Sequence, residues 1–94
     1  MTDLIGYYHG HVISPKSFKI FNLIWKGKLF QNNNTVLNNI FGYYIFKGNV
    51  IGLNDKVVIT YPTLGLTDVL CYDSNKWNGT LELFGLTVQF ELRK

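Results

Sequence analysis

The sequence contains a single cysteine, Cys71, and this shortage excludes a disulfide within the chain. A chain without disulfides suits a reducing compartment. No stretch reaches the roughly 18 uninterrupted apolar residues that a membrane-spanning helix needs. The start of the chain, Met1 to Leu4, has no basic region followed by an apolar core and so does not resemble a signal peptide. We therefore expect a cytoplasmic protein without a membrane partner.

Acidic residues are also few, six among 94 residues, which leaves little material for a paired-carboxylate active site. No nucleophile elbow, phosphate-binding loop or HExxH pattern is present. Asp68 lies within an apolar run, where an outward-facing position is the default for a carboxylate. Cys71 lies between Leu70 and Tyr72, which favours a packed thiol over a nucleophile. The sequence thus predicts no enzyme, no catalytic residue and no cofactor.

Positive charge is concentrated in the first half of the chain. Residues 1–54 contain five lysines and one acidic residue, a net +4, whereas residues 55–94 contain four basic and five acidic residues, a net −1. The basic half suits either an anionic partner or a solvated face that maintains solubility. His9 and His11 flank Gly10, and on a strand both imidazoles would point the same way and could bind one metal ion. No third ligand is brought near them by the sequence, so we predict no metal site.

What the sequence does have is many short β-rich runs between turn signals. Runs rich in Ile, Val, Phe, Tyr, Trp and Thr alternate with clusters of Asn, Asp, Gly, Ser and Pro. In residues 86–92 apolar and polar side chains alternate, as in a strand with one buried face. The pattern predicts one domain over residues 1–94, an all-β antiparallel barrel or sandwich of about six to eight short strands. Residues 14–25 suit a short helix as well as a strand, because Ser14-Pro15 forms a helix-start signal.

One five-residue pattern occurs four times: YHGHV at 8–12, WKGKL at 25–29, FKGNV at 46–50 and WNGTL at 77–81. If the copies lie within strands, the aromatic, glycine and aliphatic residues share one face, and each glycine leaves room for a neighbouring ring. If the copies are hairpin loops, the glycine supplies a positive φ at the turn. Asn78-Gly79 is a strong hairpin signal, which favours a loop for the fourth copy. For the first three copies both interpretations stay open.

Abundant tyrosine and tryptophan favour a binding module that contacts another protein or a second copy of itself. A small phage- or bacterial-type inhibitor or immunity protein fits the size. The predicted contact residues are Tyr7, His9, His11, Trp25, Lys26, Lys28, Tyr43 and Lys47.

Two other functions remain open. Lysines interleaved with aromatics at 16–30, including Lys26 and Lys28 on one wet face, suit single-stranded nucleic acid. A small-ligand-binding β-barrel is the third possibility, although 94 residues are few for an eight-stranded barrel with room inside.

Overall fold

Eight antiparallel strands close into a barrel in the computed structural model, which describes residues 4–94. The elements in chain order are β1 (Gly6–Ser14), a 3₁₀ helix η1 (Lys16–Leu23), β2 (Trp25–Phe30), β3 (Thr35–Ile40), β4 (Tyr43–Gly52), β5 (Val57–Tyr61), β6 (Leu66–Asp73), β7 (Lys76–Leu83) and β8 (Leu86–Arg93). Each strand pairs with the next, and β8 pairs with β1 to close the barrel. The predicted small all-β barrel is confirmed, and the segment 14–25 contains the helix rather than a strand.

All four copies of the repeated pattern lie within strands. Gly10 has the Trp25 ring against it, and a Cβ built there would lie 2.4 Å from Trp25 Cη2. Gly79 packs in the same way against Phe90, and a Cβ built there would lie 2.3 Å from the ring. Gly10 and Gly79 therefore make space for aromatic rings of the neighbouring strands, as the strand interpretation predicts, whereas Gly27 lies against the backbone carbonyl of Tyr8.

The prediction of a hairpin loop at Asn78-Gly79 is wrong. The chain turns earlier, at Ser74-Asn75, where φ is 54° and 67° and where Asp73 pairs with Lys76. This turn starts β7 at Lys76, so Gly79 falls on the inward face of β7 and pairs with Phe90 of β8.

The two ends of the barrel differ in their packing. Turns 31–34, 53–56 and 74–75 form one end, here called the base, and the barrel is filled with apolar side chains towards it. Ile59, Leu70 and Leu92 are fully buried in that core. Helix η1 and turns 41–42, 62–65 and 84–85 form the other end, here called the mouth. The interior differs there, because it is not filled by side chains.

Candidate functional site

A cavity of about 350 Å³ occupies the mouth half of the barrel. All eight strands contribute to its wall, together with η1 and the turn at Leu64. Its volume lies within the range of small-molecule sites, which begin at about 300 Å³. The sequence suggested that 94 residues are few for an eight-stranded barrel with room inside, but the barrel has such a space. Side chains fill one half of the barrel and leave the other half open.

Four polar side chains form the floor of this cavity: Lys28, Asn38, Tyr61 and Asp68. Lys28 Nζ lies 2.9 Å from Asp68 Oδ2 and donates hydrogen bonds to Asn38 Oδ1 at 2.7 Å and to the Tyr61 hydroxyl at 2.5 Å. The Tyr61 hydroxyl donates to Asp68 Oδ2 at 3.0 Å. Asn38 Nδ2 donates to the Tyr61 hydroxyl and to the Phe46 carbonyl. The floor is a connected network between four strands, β2, β3, β5 and β6.

The network satisfies its own members. The ammonium of Lys28 has three N–H donors, and Asn38, Tyr61 and Asp68 accept one each. Trp25 Nε1 donates to the remaining capacity of Asn38 Oδ1 at 3.1 Å. Throughout residues 4–94, every buried side-chain nitrogen and oxygen has a hydrogen-bond partner. The floor thus carries one positive and one negative charge in contact, and its net charge is zero.

Burial and pairing act on the protonation of the floor in opposite directions. Burial by itself lowers the pKa of Lys28, but the Asp68 carboxylate and the Tyr61 oxygen outweigh it and raise that pKa above its usual value. For Tyr61, burial is the largest effect and raises the pKa of the hydroxyl, although Lys28 opposes it. Both groups therefore keep their protons at neutral pH, and the lysine stays charged.

The wall above the floor is apolar, and η1 covers part of the mouth. Phe18 and Phe21 of η1 line the cavity from above. Asn22 fixes the helix to the barrel, because its side chain accepts from the Val12 N–H at 2.6 Å and donates to the Val12 carbonyl at 3.2 Å. No residue of η1 is buried. The helix therefore lies at the cavity entrance and is not part of the packed core.

Two of the predicted contact residues, Trp25 and Lys28, lie inside the barrel. Lys28 was expected on the wet face beside Lys26, and that position is wrong because Lys28 is 3% exposed. The pairing of β2 with β3 shifts between Trp25 and Gly27, and this irregularity turns Lys28 and Phe30 inward. Trp25 also faces the cavity.

The other six predicted contact residues stay outside the cavity: Tyr7, His9, His11, Lys26, Tyr43 and Lys47. Tyr7 forms edge-to-face contacts with His9 at 5.1 Å and with Tyr44 at 6.4 Å between ring centroids. Burial raises the pKa of the Tyr7 hydroxyl, and Tyr44 adds to that shift. Tyr43 is strongly exposed and pairs with Ile40 at the mouth end of β3. Of these six residues, Tyr7 and His9 form an aromatic cluster with Tyr44 on the outer face of β1 and β4.

Two further residues lie elsewhere than expected. Asp68 faces the interior and is buried, contrary to its expected outward position. Cys71, expected as a packed thiol, is exposed because it lies on the outer face of β6 between inward-facing Leu70 and the end of the strand. His9 and His11 are both exposed, and residues 4–94 contain no group of three or more His, Cys, Asp or Glu that could hold a metal ion.

Asn38 and Tyr61 are the floor residues that sequence reasoning missed. The chain is rich in asparagine, and nothing in the sequence distinguishes Asn38 from the others as a buried residue. Tyr61 ends a β-branched strand, where a tyrosine is commonly a surface residue with a polar tip. Asp68 had a usable signal, because it alternates in phase with Leu66 and Leu70 and so shares their buried face.

Comparison of the chain with protein-family models, curated proteins and solved structures found no match. Within the described part of the chain, no helix is both long and apolar enough to cross a membrane.

Proposed function

We propose that this protein binds a small, neutral, mainly apolar molecule inside the barrel. The observation that supports the proposal is the cavity of about 350 Å³ above a floor of zero net charge. Apolar cavities with a few fixed polar groups are the usual form of small-molecule sites. Eight strands are also the barrel size at which the interior can hold one small ligand.

The floor favours a neutral ligand over an anionic one. An anion would need a free cation or free N–H donors, and all three donors of Lys28 are already used. An anion would also lie close to the Asp68 carboxylate, which the buried environment screens poorly. A neutral ligand leaves the network intact and gains the hydrophobic transfer free energy of the wall.

Two fluorescent probes test this directly. N-phenyl-1-naphthylamine is neutral, and 1-anilinonaphthalene-8-sulfonate is the same skeleton with an added sulfonate. We expect the neutral probe to bind with one-to-one stoichiometry and to bind at least about tenfold more tightly than the sulfonate, a difference of about 1.4 kcal/mol. Absence of neutral-probe binding, or tighter binding of the sulfonate, would contradict the proposal.

A matched pair of variants locates the probe. Leu81 lines the cavity, and its neighbour Thr80 faces solvent on the same strand. Leu81→Trp fills the cavity and should weaken neutral-probe binding by about tenfold or more, whereas Thr80→Trp should leave it unchanged. Far-ultraviolet circular dichroism checks that both variants are folded. Equal binding by the two variants would place the probe outside the barrel.

Contact with a protein partner is a second candidate function, supported by the exposed outer surface on β1 and β4. The ring of Tyr7 packs against those of His9 and Tyr44 there, and rigid aromatic clusters are common anchors of interfaces. A homo-oligomer through this surface would appear in sedimentation equilibrium as a concentration-dependent mass. Tyr44→Ser should then shift the mass towards the monomer, and a monomeric protein at all concentrations would contradict self-association.

A further inference from the structure

The turns at the two ends of the barrel differ in chemistry. The base turns contain mainly polar residues, with Asn32 to Asn34 in one, Asn54-Asp55 in another and Ser74-Asn75 in the third. The mouth turns instead place large apolar residues at their tips, namely Phe41, Leu64 and Phe84. Helix η1 adds exposed Ile20 and Leu23 at the same end. These five residues are here called the apolar rim.

Both phenylalanines of the apolar rim have a backbone conformation that is unfavourable for a bulky residue. Phe41-Gly42 and Phe84-Gly85 are two-residue hairpin turns with positive φ at both positions, 55° and 89° in the first and 50° and 83° in the second. Such turns favour Asn or Asp before Gly, and a bulky residue with positive φ is an outlier. At the base, the non-glycine residues with positive φ are Asn34, Ser74 and Asn75. The fold therefore uses small polar residues for this conformation at one end and phenylalanine at the other.

The rim phenylalanines are also poorly buried. Phe84 is 98% exposed and Phe41 is 65% exposed, and neither lines the cavity. Because both rings lie in water, they add nothing to the core that would offset the strained backbone of their turns. Backbone strain of this kind is concentrated at functional sites. Together with their position around the mouth, this indicates that the apolar rim contacts something outside the protein.

The charges near the rim are mainly positive. Outside the buried Lys28–Asp68 pair, the charged side chains of the mouth end are Lys16, Lys19, Lys26 and Glu82. The three lysines are exposed, and Glu82 accepts a hydrogen bond from Thr87 at 2.7 Å. Apolar tips flanked by lysines match a surface with an apolar interior below negative headgroups. A mouth-to-mouth dimer would instead bring the lysines of two copies together.

We propose that the apolar rim docks on a lipid bilayer surface that contains anionic lipids, with the cavity mouth facing the bilayer. This goes beyond the proposed function and does not depend on what the cavity binds. It reverses the expectation of no membrane partner, which depended on the absence of a spanning segment. A rim contact needs no such segment, since the turn residues enter only the interfacial region.

Vesicle flotation tests the docking. Vesicles of phosphatidylcholine alone are compared with vesicles of equal parts phosphatidylcholine and phosphatidylglycerol. We expect the protein to float with the mixed vesicles and much less with phosphatidylcholine alone. Added salt should weaken the binding because it screens the lysines. Absence of binding to the mixed vesicles would overturn the proposal.

The double variant Phe41→Asn/Phe84→Asn removes both rings while creating the preferred Asn-Gly turns. Its thermal stability should equal or exceed that of the wild type, so lost binding cannot be ascribed to unfolding. We expect at least about a tenfold loss of vesicle binding, because both rings forfeit hydrophobic transfer into lipid. Leu53→Asn is the matched control, since Leu53 is an exposed apolar turn residue at the base. It should leave vesicle binding unchanged.

The lysines are tested separately with Lys16→Gln/Lys19→Gln. Each exposed lysine near an anionic surface contributes about fivefold to binding, so mixed-vesicle binding should fall by more than tenfold.

Equal loss of vesicle binding in the Leu53→Asn control would overturn the rim as the docking surface. Unchanged vesicle binding in the phenylalanine double variant, with loss of a concentration-dependent dimer, would replace the bilayer by a second copy. Neutral-probe binding without vesicles should persist in all these variants, which separates failure of docking from failure of the cavity proposal.

Discussion

Lys28 on β2 and Asp68 on β6 meet across the interior of the barrel, with Nζ and Oδ2 separated by 2.9 Å. Their strands are not neighbours in the sheet, so the pair connects opposite walls. Apolar core lies on the base side of the pair and the cavity lies on the mouth side. The ion pair thus marks the depth at which side-chain packing ends and ligand space begins.

Removing the negative partner should be strongly destabilising. Asp68→Asn leaves a buried ammonium without its counter-charge, and breaking a buried pair in this way costs about 3–5 kcal/mol. The measurement is urea denaturation at neutral pH, with the free energy of unfolding compared between the variant and the wild type. A loss below about 1 kcal/mol, as for an exposed pair, would contradict the buried geometry.

Replacing both partners should cost much less than replacing one. Lys28→Met/Asp68→Leu removes both charges and keeps the volume apolar, and such exchanges are often neutral or stabilising. We expect the double variant to be more stable than Asp68→Asn by at least about 2 kcal/mol. The same urea titration measures it. A double variant as unstable as Asp68→Asn would show that shape, and not charge pairing, determines the stability at this depth.

The stability of the protein should fall in alkali. The folded state raises the pKa of Lys28 and of Tyr61, whose usual values are 10.5 and 10.0. Above pH 10 the unfolded chain therefore releases protons that the folded protein still holds, so the free energy of unfolding decreases as pH rises. Below that pH the contribution of both groups is fully present. Urea titrations from pH 8 to pH 11 should show this decrease, and the decrease should be smaller in Lys28→Met/Asp68→Leu.

The fold could be predicted further from the sequence than the site could. Period-two alternation and turn residues are local signals, and they correctly indicated an all-β domain with strands such as residues 86–92. Strand register is not local. Because one irregular position near Gly27 moves every later side chain of β2 to the other face, Lys28 could not be assigned to the interior from alternation alone.

The floor network illustrates the same limit. Asp68 was identifiable as inward-facing from its phase with Leu66 and Leu70, but its partner lies 40 residues away in the sequence. Only barrel closure brings β2 opposite β6, and no local pattern encodes that closure. The cavity is harder still to foresee, because it depends on which residues fail to fill the interior.

The Trp25 ring lies so close to Gly10 that it leaves no space for a side chain there. Gly10→Ala places a Cβ 2.4 Å from the indole, so the ring must move, and overpacking of this kind costs about 1–3 kcal/mol. In a Trp25→Leu background the same substitution should cost much less, because the clashing ring is absent. Thermal denaturation of the four proteins of this cycle gives the coupling. Additive effects would contradict the contact.

We expect Glu91, at the base end of β8, to make a pH-dependent contribution to the stability of the fold. Hydrogen bonds from Lys76 and Arg93, at 2.8 and 3.1 Å, lower the pKa of Glu91 below its usual 4.5. The carboxylate therefore stabilises the fold above pH 4.5, and this contribution is lost as the pH falls through the lowered value. Glu91→Gln should reduce stability at pH 7 by at most about 1 kcal/mol, since the pair is partly exposed. The difference from wild type, measured by thermal denaturation, should shrink in acid, and a constant difference would contradict it.

The charge of the floor should set which probe the cavity prefers. In Asp68→Asn the Lys28 ammonium loses its counter-charge, so an anionic ligand gains a cationic partner that is neutralised in the wild type. A hydrogen bond to a charged group contributes about 1.5–3 kcal/mol, so the affinity of the sulfonate probe relative to the neutral probe should rise about tenfold or more.

Asp68→Asn is made in the Phe41→Asn/Phe84→Asn background, where any stability gained from the two Asn-Gly turns offsets part of the loss. Circular dichroism confirms the folded state before each titration. Lys28→Met/Asp68→Leu is the matched control, because its floor is also without Asp68 but has no cation, and it should keep the preference for the neutral probe. An unchanged ratio in Asp68→Asn would mean that the probes do not reach the floor, and the cavity would then select its ligand by shape alone.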